Sequence, residues 1–356
     1  IPRATALDGR ERELEQLVAS YEEARAGEGR AVLIEGEAGI GKTRIVDEFV
    51  GRLREAGEDF NFLFGSYPPG GAATAAGAFS TAYREHFGRD GLEDALEPYL
   101  SVTPVLVRAF AALLRGESTP TGAEGLTKDS LQTVFVHATR GLAAERPTIV
   151  LIDDLHFAPA EGRALFSALA AGVPGHRILL VGALRPGVPE AWASSITHLE
   201  HARHVHLPRL GAKDLALLLR EAFHSERLAD ELGTKIAVKS DGNPFFAFEI
   251  IRGLREGQFI TRQPDGRWVS TQHIQDVEVP SSVTDLVQAR IADLGVDQKN
   301  LLDVGACCGF EFDPLLVARV LGLDEIPALQ SLARVERRLS LISSAGRRVV
   351  FAHLLV

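Results

Sequence analysis

A glycine-rich segment between an apolar strand and a helix constrains the fold of this chain most strongly. The segment LIEGEAGIGKT (33–43) follows the predicted strand AVLIE (31–35) and precedes a predicted helix over 43–55. Residues 36–43 match G-x-x-x-x-G-K-[ST] in full, the pattern in which backbone N–H groups and a helix N-terminus meet phosphate oxygens. The lysine of the pattern neutralises the β- and γ-phosphates, and the threonine binds Mg²⁺. The residues assigned to nucleotide binding on this basis are Gly36, Ala38, Gly39, Ile40, Gly41, Lys42 and Thr43.

A second apolar strand ends in two acidic residues. TIVLIDD (148–154) is predicted to place Asp153 beside the glycine-rich turn, where its carboxylate joins Thr43 in holding Mg²⁺. Asp154 is the candidate for orienting the attacking water, with a role as a helix N-cap as the alternative. An aspartate is one methylene shorter than the glutamate found at this position in fast ATPases, which favours slow hydrolysis.

A third apolar strand, RILLVGAL (177–184), is followed directly by Arg185. In a parallel sheet this side chain is expected to emerge near the γ-phosphate, where a cation can distinguish ATP from ADP. An arginine at a strand end is, taken alone, more often a surface residue. Lys42, Asp154 and Arg185 are therefore the candidate catalytic residues.

The order of elements predicts three domains. Strands alternating with helices over residues 1–207 indicate an α/β P-loop NTPase with a parallel sheet covered by helices on both faces. Residues 208–277 indicate a helical domain, with helices at 211–223, 226–239 and 245–255 and a hairpin over 257–270 that turns at Pro264-Asp265-Gly266. Residues 278–356 indicate a winged-helix domain, cut short at its C-terminus. There a helix is expected near Ser282 and Asp285, which have capping-box spacing, and two final strands flank a Ser-Ser-Ala-Gly turn.

Composition excludes several classes of protein. The formal charge of −10 and the pI near 5.6 argue against a surface built mainly for nucleic acid. No apolar run approaches the roughly 18 residues of a membrane span, and no signal peptide opens the chain. The two cysteines, Cys307 and Cys308, are neighbours; they are predicted to be small residues of a buried helix, and a reducing cytoplasm is the expected location. The absence of methionine and the ending FAHLLV indicate a fragment of a longer protein.

The motifs together resemble those of STAND-type ATPases, the signal-transducing branch of the AAA+ superfamily, which includes large bacterial ATP-binding regulators related to LuxR. The resemblance covers nearly the whole chain, although Phe157-Ala158-Pro159 stands where bacterial members usually have Trp-Ala-Asp. The segments that carry it are LDGRERELEQL (7–17), LIDDLHFAP (151–159), GALRPGVPE (182–190), SDGNPFFAFEI (240–250) and VVFAHLLV (349–356).

The resemblance adds residues from outside the glycine-rich turn to the candidate site. It implies that Gly9 and Arg10 flank the adenine and that Pro244 closes over the base from the helical domain. It also implies that His353 reaches the phosphates from the winged helix, and a half-buried strand histidine is the alternative for that residue. ATP or ADP, with Mg²⁺, is the implied ligand.

The resemblance also implies a function. The chain is expected to be a slow Mg-dependent ATPase that acts as a switch, closed with ADP and opening with ATP to form a homo-oligomer. Sensor and effector domains are expected outside this fragment, in bacterial signalling or transcription regulation. Two rivals are a DNA-handling AAA+ ATPase of the replication-initiator type, which predicts salt-dependent DNA binding, and a P-loop kinase, which predicts turnover that needs a second substrate.

A cluster of histidines and a cluster of arginines are assigned no binding function. His198, His201, His204 and His206 lie close together, but a metal site needs a third ligand that the sequence does not identify, so a polar edge strand is the favoured interpretation. Arg337, Arg338, Arg347 and Arg348 make the last domain locally basic, although in the family this module packs on the ATPase core.

Overall fold

The computed structural model describes residues 9–68, 74, 76–88, 90–271, 291, 294–339 and 341–351. These residues form two compact units. The first consists of the described residues from Arg10 to Pro208, and the second consists of Gly9 and the described residues from Arg209 onward. The predicted domain boundary at 277 and the predicted helix start at Ser282 and Asp285 lie outside the described residues.

The first unit alternates helices and strands. Its strands are β1 (Arg30–Glu35), β2 (Asn61–Ser66), β3 (Thr148–Asp153), β4 (Ile178–Leu184) and β5 (Ala202–His206). Its helices are α1 (Glu11–Arg25), α2 (Lys42–Glu55), α3 (Gly77–Phe87), α4 (Leu92–Leu96), α5 (Val107–Arg115), α6 (Lys128–Glu145), α7 (Ala160–Gly172) and α8 (Glu190–Thr197). The strands predicted at 31–35 and 177–184 and the helix predicted over 43–55 are thereby confirmed to within one residue.

The five strands form one parallel sheet in the order β2-β3-β4-β1-β5. The inner strands are apolar and buried along most of their length, and β4 is buried at every residue. The edge strand β2 alternates between inward and outward residues instead. Continuous apolar runs are required in the middle of a parallel sheet because both faces are covered, whereas an edge strand keeps part of its surface in solvent.

The register aligns the carboxyl ends of the inner strands. Glu35 of β1 pairs with Leu184 of β4, and Ile152 of β3 pairs with Gly182 of the same strand. The segments that follow β1, β3 and β4 therefore leave the sheet at one level. We call this end of the sheet the carboxyl edge and the opposite end, where the strands begin, the amino edge.

The second unit is helical with two small antiparallel sheets. Its helices are α9 (Ala212–Phe223), α10 (Glu226–Ser240), α11 (Pro244–Glu256), α12 (Val296–Cys308), α13 (Pro314–Val320) and α14 (Glu325–Leu339). Its strands are β6 (Ile260–Arg262), β7 (Trp268–Ser270), β8 (Glu311–Phe312), β9 (Ile342–Ala345) and β10 (Arg348–Phe351). The predicted hairpin around Pro264-Asp265-Gly266 is confirmed by the β6–β7 pairing, and a second sheet has the order β8-β10-β9.

Three local predictions were wrong. The last hairpin does not turn at Ser-Ser-Ala-Gly: Ser343 to Ala345 belong to β9, and Gly346, with a φ of +63°, opens a two-residue turn. The strand predicted to end at Asp154 ends at Asp153, because Asp154 has a φ of +54°. Cys307 and Cys308 are exposed rather than buried, because the inward positions of α12 are Leu301, Leu302 and Gly305 and the cysteines follow in its last turn.

Among the described helices, none is both long enough and apolar enough to cross a membrane.

Candidate nucleotide-binding site

The glycine-rich segment forms a tight turn between β1 and α2. Gly41 is the N-cap of α2 with a φ of +105°, a conformation that other residues rarely adopt. Gly36 is needed for space, since a Cβ at this position would lie 2.7 Å from Ile40 Cγ2 and 3.2 Å from the Leu207 carbonyl oxygen. The first turn of α2 contains no acidic residue, so the partial positive charge of the helix N-terminus remains suited to an anion.

Lys42 is held against the loop itself. Its side chain is buried, and Nζ donates hydrogen bonds to the carbonyl oxygens of Gly36 (2.8 Å) and Glu37 (2.9 Å). Burial, followed by the nearby Arg185 guanidinium, lowers the pKa of Lys42. The ammonium group is thus positioned inside the loop, where it can exchange carbonyl oxygens for phosphate oxygens.

Thr43 and Asp153 bring two oxygen donors together from α2 and β3. Thr43 Oγ1 donates a hydrogen bond to Asp153 Oδ2 at 3.3 Å. Burial raises the pKa of Asp153, opposed by the Asp154 N–H and by Lys42. A hydroxyl and a carboxylate are hard ligands of the kind that Mg²⁺ takes, usually one or two from the protein with the remainder from phosphates and water. These two residues fit a magnesium ion, and a cation here would offset the cost of a buried charge at Asp153.

Asp154 occupies an unusual backbone conformation at the end of β3. Its φ of +54° is left-handed, a region that aspartate tolerates better than most residues, and its N–H donates to Asp153 Oδ1 at 2.8 Å. Asp154 stands at the N-cap position of a short 3₁₀ helix, Leu155–Phe157, but its side chain makes no capping hydrogen bond. Burial and the Asp153 carboxylate raise the pKa of Asp154 to about 6, against the effect of Arg185 and Lys42. A carboxyl with this pKa can accept a proton near neutral pH.

Arg185 follows β4 and belongs to the same cluster of charges. It contributes electrostatically to the pKa shifts of Lys42, Asp153 and Asp154, so its guanidinium lies within electrostatic range of their charges. Its Cζ lies 5.7 Å from the centre of the Phe157 ring, within the range of a cation–π contact. Among the described residues, its buried Nε has no hydrogen-bond partner. The guanidinium therefore lies at the carboxyl edge and can still donate a hydrogen bond from Nε.

His156 also lies in this site, and no function was predicted for it from the sequence. Its ring packs on Phe157, with 4.0 Å between ring centres, and Nε2 is 3.8 Å from Asp154 Oδ1. Neither ring nitrogen has a hydrogen-bond partner among the described residues, although both are buried. A buried polar group without a partner costs about 1–3 kcal/mol. The sequence signal that could have identified His156 is its position two residues after Asp154, at the predicted end of an apolar strand.

Arg10 contacts the glycine-rich loop through its side chain. The side chain is buried, and Nη2 donates to the carbonyl oxygens of Pro208 (2.5 Å) and, more weakly, of Ile40 (3.5 Å). This contact with the phosphate-binding loop was not predicted from the sequence. The adenine contact assigned to Arg10 stays a prediction.

Three other predicted residues belong either to the second unit or to the part of the chain outside the described residues. Gly9 belongs to the second unit, where its φ is +74° and a Cβ would lie 2.5 Å from Asp214 Cγ. Pro244 is the first residue of α11, after the N-cap Asn243, whose Oδ1 accepts a hydrogen bond from the Phe245 N–H. His353 lies outside the described residues. The contacts assigned to these three residues stay predictions.

The histidines around β5 form no metal centre in the part of the chain that the structure describes. His204 Nε2 lies 2.8 Å from Glu35 Oε2, and His201 Nε2 lies 2.7 Å from the Ala170 carbonyl oxygen. No set of three or more His, Cys, Asp or Glu side chains among the described residues is arranged to hold a metal ion.

Comparisons with known proteins agree with this geometry. Residues 6–181 match the family model of the AAA ATPase domain. An uncharacterized protein of Rhizobium meliloti (strain 1021) is 24% identical over 315 residues, which are 81% of this chain and 28% of that protein.

Two solved structures align with nearly the whole of this chain. A Signal Transduction ATPase with Numerous Domains (STAND) protein with a tetratricopeptide repeat sensor from Pyrococcus horikoshii has a TM-score of 0.52 at 17% identity, covering 99% of this chain and 42% of that chain. Drosophila ORC bound to DNA has a TM-score of 0.47 at 16% identity, covering 100% of this chain and 86% of that chain.

This chain spans less than half the length of the Rhizobium relative and of the Pyrococcus STAND protein. The similarity to the STAND structure is one of fold. The glycine-rich loop, the acidic end of β3 and Arg185 meet at one edge of a parallel sheet. The family model matches the region that contains β1, β2, β3 and the first part of β4. Residues 6–181 of the chain therefore match an AAA ATPase domain and contain a P-loop.

Proposed function

We propose that this chain is the nucleotide switch of a STAND-type signalling protein: closed with ADP, open with ATP, and reset by slow Mg-dependent hydrolysis. The observation that carries the proposal is the convergence of Lys42, Thr43, Asp153, Asp154 and Arg185 at the carboxyl edge. The fold similarity to a STAND protein supports the choice of a switch over a P-loop kinase.

Each residue of the site has a defined part in binding. Lys42 leaves the carbonyl oxygens of Gly36 and Glu37 and contacts the β- and γ-phosphates. The N–H groups at the start of α2 surround the same phosphates. Thr43 and Asp153 would hold Mg²⁺, which neutralises charge on the phosphate oxygens when it is bound. Arg185 contacts the γ-phosphate and so distinguishes ATP from ADP.

The chemical step is a displacement at the γ-phosphorus. The oxygen of a water molecule forms a bond to the γ-phosphorus while the bond to the β,γ-bridging oxygen breaks, and ADP leaves with that electron pair. The Asp154 carboxylate takes the proton of the attacking water. Its raised pKa makes it a competent acceptor near neutral pH. The shorter reach of an aspartate favours a low rate, which suits a switch that has to persist in its ATP state.

The switch itself depends on differential affinity, because a nucleotide shifts a conformational equilibrium only as far as it binds the two states differently. We propose that Pro244 and His353 contact the nucleotide in the ADP state, and that the γ-phosphate and Arg185 favour the open state. A coupling of about 1–3 kcal/mol, typical of allosteric proteins, is enough to bias the equilibrium. Oligomerisation and the activation of an effector by the open form complete the proposal.

The first test is to identify the nucleotide that the purified protein carries. The chain is denatured, and the released small molecules are separated by ion-exchange chromatography and counted against protein. About one equivalent of ADP supports the closed switch. A protein that carries no nucleotide and hydrolyses added ATP rapidly contradicts it.

A second test addresses the two states directly. Size-exclusion chromatography with light scattering compares the protein in ADP with the protein in Mg²⁺ and a non-hydrolysable ATP analogue. A monomer in ADP and a larger species in the analogue support the switch. Salt-dependent DNA binding without any change of assembly would favour a DNA-handling ATPase instead.

A further inference from the structure

His156 is the buried polar side chain of the candidate site to which no step has been assigned. Only 11% of its side chain is exposed, and the preceding residue, Leu155, is fully buried and anchors the 3₁₀ turn in the core. Phe157 covers one side of the imidazole at 4.0 Å between ring centres. The ring is thus fixed in place by packing, next to groups that act on the nucleotide.

The hydrogen-bonding capacity of this ring is unused among the described residues. Both nitrogens are buried without a partner. Such groups are rare in native proteins, and a catalytic role or a bound water is among their explanations. Asp154 Oδ1 lies 3.8 Å from Nε2, slightly beyond hydrogen-bonding distance. Catalytic hydrogen bonds are often long before substrate binds and shorten in the reactive complex. A movement of less than about 1 Å would bring the two atoms within normal hydrogen-bonding distance.

The imidazole is neutral under ordinary conditions. Burial and the positive charges of Arg185 and Lys42 lower the pKa of His156 to about 4. A neutral imidazole carries one N–H donor and one acceptor. It can therefore donate to a carboxylate without adding a third positive charge beside Lys42 and Arg185.

We propose that His156 is a positioning residue for hydrolysis: its Nε2–H donates to Asp154 Oδ1 in the ATP-bound state and leaves Oδ2 directed at the attacking water. This inference rests on the proposed ATPase activity and deepens it. Asp154 alone is held through its backbone, and its side chain makes no capping hydrogen bond. The donor from His156 supplies the orientation that the backbone does not.

The first experiment uses three substitutions in the full chain. Glutamine can place its amide nitrogen near the position of Nε2, whereas asparagine reaches only as far as Nδ1. We expect His156→Gln to keep most of the single-turnover ATPase rate. We expect His156→Asn and His156→Ala to lose about 10- to 100-fold, the range seen when a partner that orients a functional side chain is removed. Affinity for ADP should change less than about twofold in all three, because the ring is proposed to act on the catalytic step.

The second experiment tests whether the effect passes through Asp154. In an Asp154→Asn background the residual single-turnover rate should be the same with and without the His156→Ala substitution, because residues that act as one unit are non-additive. A His156→Ala variant that lowers the rate by the same factor in both backgrounds would overturn the proposal.

A matched control is available in the same unit. His137 on α6 also has a buried Nδ1 without a partner among the described residues. His137→Ala should leave the ATPase rate unchanged even if it alters thermal stability.

The outcomes separate this inference from the proposed function. A wild-type protein that binds nucleotide but never hydrolyses ATP overturns the ATPase itself. A wild-type protein that hydrolyses ATP, with His156→Asn and His156→Ala equally active, overturns only the positioning role of His156.

Discussion

Glu23 and Asp154 are carboxylates of the same unit at opposite ends of the sheet, and their surroundings shift their pKa values in opposite directions. At the amino edge burial acts against the charge of Glu23, but the guanidinium groups of Arg30 and Arg203 hold the pKa of this carboxyl below its ordinary value. At the carboxyl edge burial and Asp153 raise the pKa of Asp154 to about 6, although Lys42 and Arg185 lie nearby.

The two edges of the sheet also differ in whether their polar side chains have hydrogen-bond partners. At the amino edge Asn61 Nδ2 donates to Thr148 Oγ1 (3.2 Å) and to the Leu142 carbonyl oxygen (3.4 Å). Arg177, which precedes β4, donates to the final carbonyl groups of α6. At the carboxyl edge both nitrogens of His156 and the Nε of Arg185 are buried without a partner in the described part of the chain.

The comparison separates stability from function within one sheet. Polar groups at the amino edge are paired by the protein itself and therefore stabilise the fold. Polar groups at the carboxyl edge lie close together and are incompletely paired among the described residues, at a cost in folding free energy. In the proposed function, phosphate oxygens, a metal ion and water complete their hydrogen bonds. Substitutions at the two edges should consequently change different measured quantities.

The largest expected effect is at Lys42. Lys42→Ala should abolish detectable nucleotide binding, with affinity for ADP reduced about 100- to 1000-fold, because a buried charge-assisted contact with phosphate is removed. The free energy of unfolding should change little, since the buried ammonium has a desolvation cost of its own. Isothermal titration calorimetry and urea unfolding measure the two quantities. Lys128→Ala, at an exposed first turn of α6, is the control and should bind ADP normally; weak binding in both variants would contradict the assignment.

Asp154 should affect rate without affecting binding. Asp154→Asn is expected to bind ATP normally and to hydrolyse it about 100-fold more slowly or worse, since general-base catalysis is lost. Single-turnover ATPase assays measure the rate. Asp59→Asn, at an exposed ion pair of the amino edge, is the matched control. Unchanged turnover in Asp154→Asn would remove this residue from the mechanism.

A substitution at Asn61 should lower the stability of the fold without changing the affinity for nucleotide. Asn61→Ala removes a buried donor from two acceptors, and we expect the free energy of unfolding to fall by about 1–3 kcal/mol. Affinity for ADP should be unchanged. Trp192 lies in the first unit and Trp268 in the second, so fluorescence in a Trp268→Phe background reports the unfolding of the sheet. Asn300→Ala on the exposed face of α12 should leave this transition within about 0.5 kcal/mol.

The smallest expected effect depends on pH. Because the folded-state pKa of Glu23 lies below its unfolded value, its ion pairs stabilise the protein above the ordinary glutamate pKa, and this contribution is lost as pH falls through the folded pKa. Glu23→Gln should therefore be less stable than wild type at pH 7 by about 1 kcal/mol, and the difference should shrink as the medium is acidified. Urea unfolding at pH 7 and at lower pH checks this, and a difference that grows on acidification would show that the sign is wrong.

Much of the first unit could be predicted from the sequence, because its signals are local. A continuous apolar run predicts a buried parallel strand, and a glycine-rich turn before a helix predicts a phosphate site, whatever the rest of the chain does. Lys42, Thr43 and Asp153 could be assigned from such patterns, and the family model over residues 6–181 supports the class of protein. The strand order β2-β3-β4-β1-β5 could not be predicted from local patterns, because it depends on contacts between residues that are far apart in the chain.

The tertiary structure decided which side chains the site contains and how they are charged. His156 is two residues from Asp154 in the sequence, yet its burial and its lack of partners depend on packing by Phe157 and on the placement of Arg185 by another strand. Cys307 and Cys308 were misassigned for the same reason, since apolar character alone does not show which face of a helix is covered. Local pattern thus determined the elements and the phosphate loop, whereas burial and the distances between charges are properties of the packed chain.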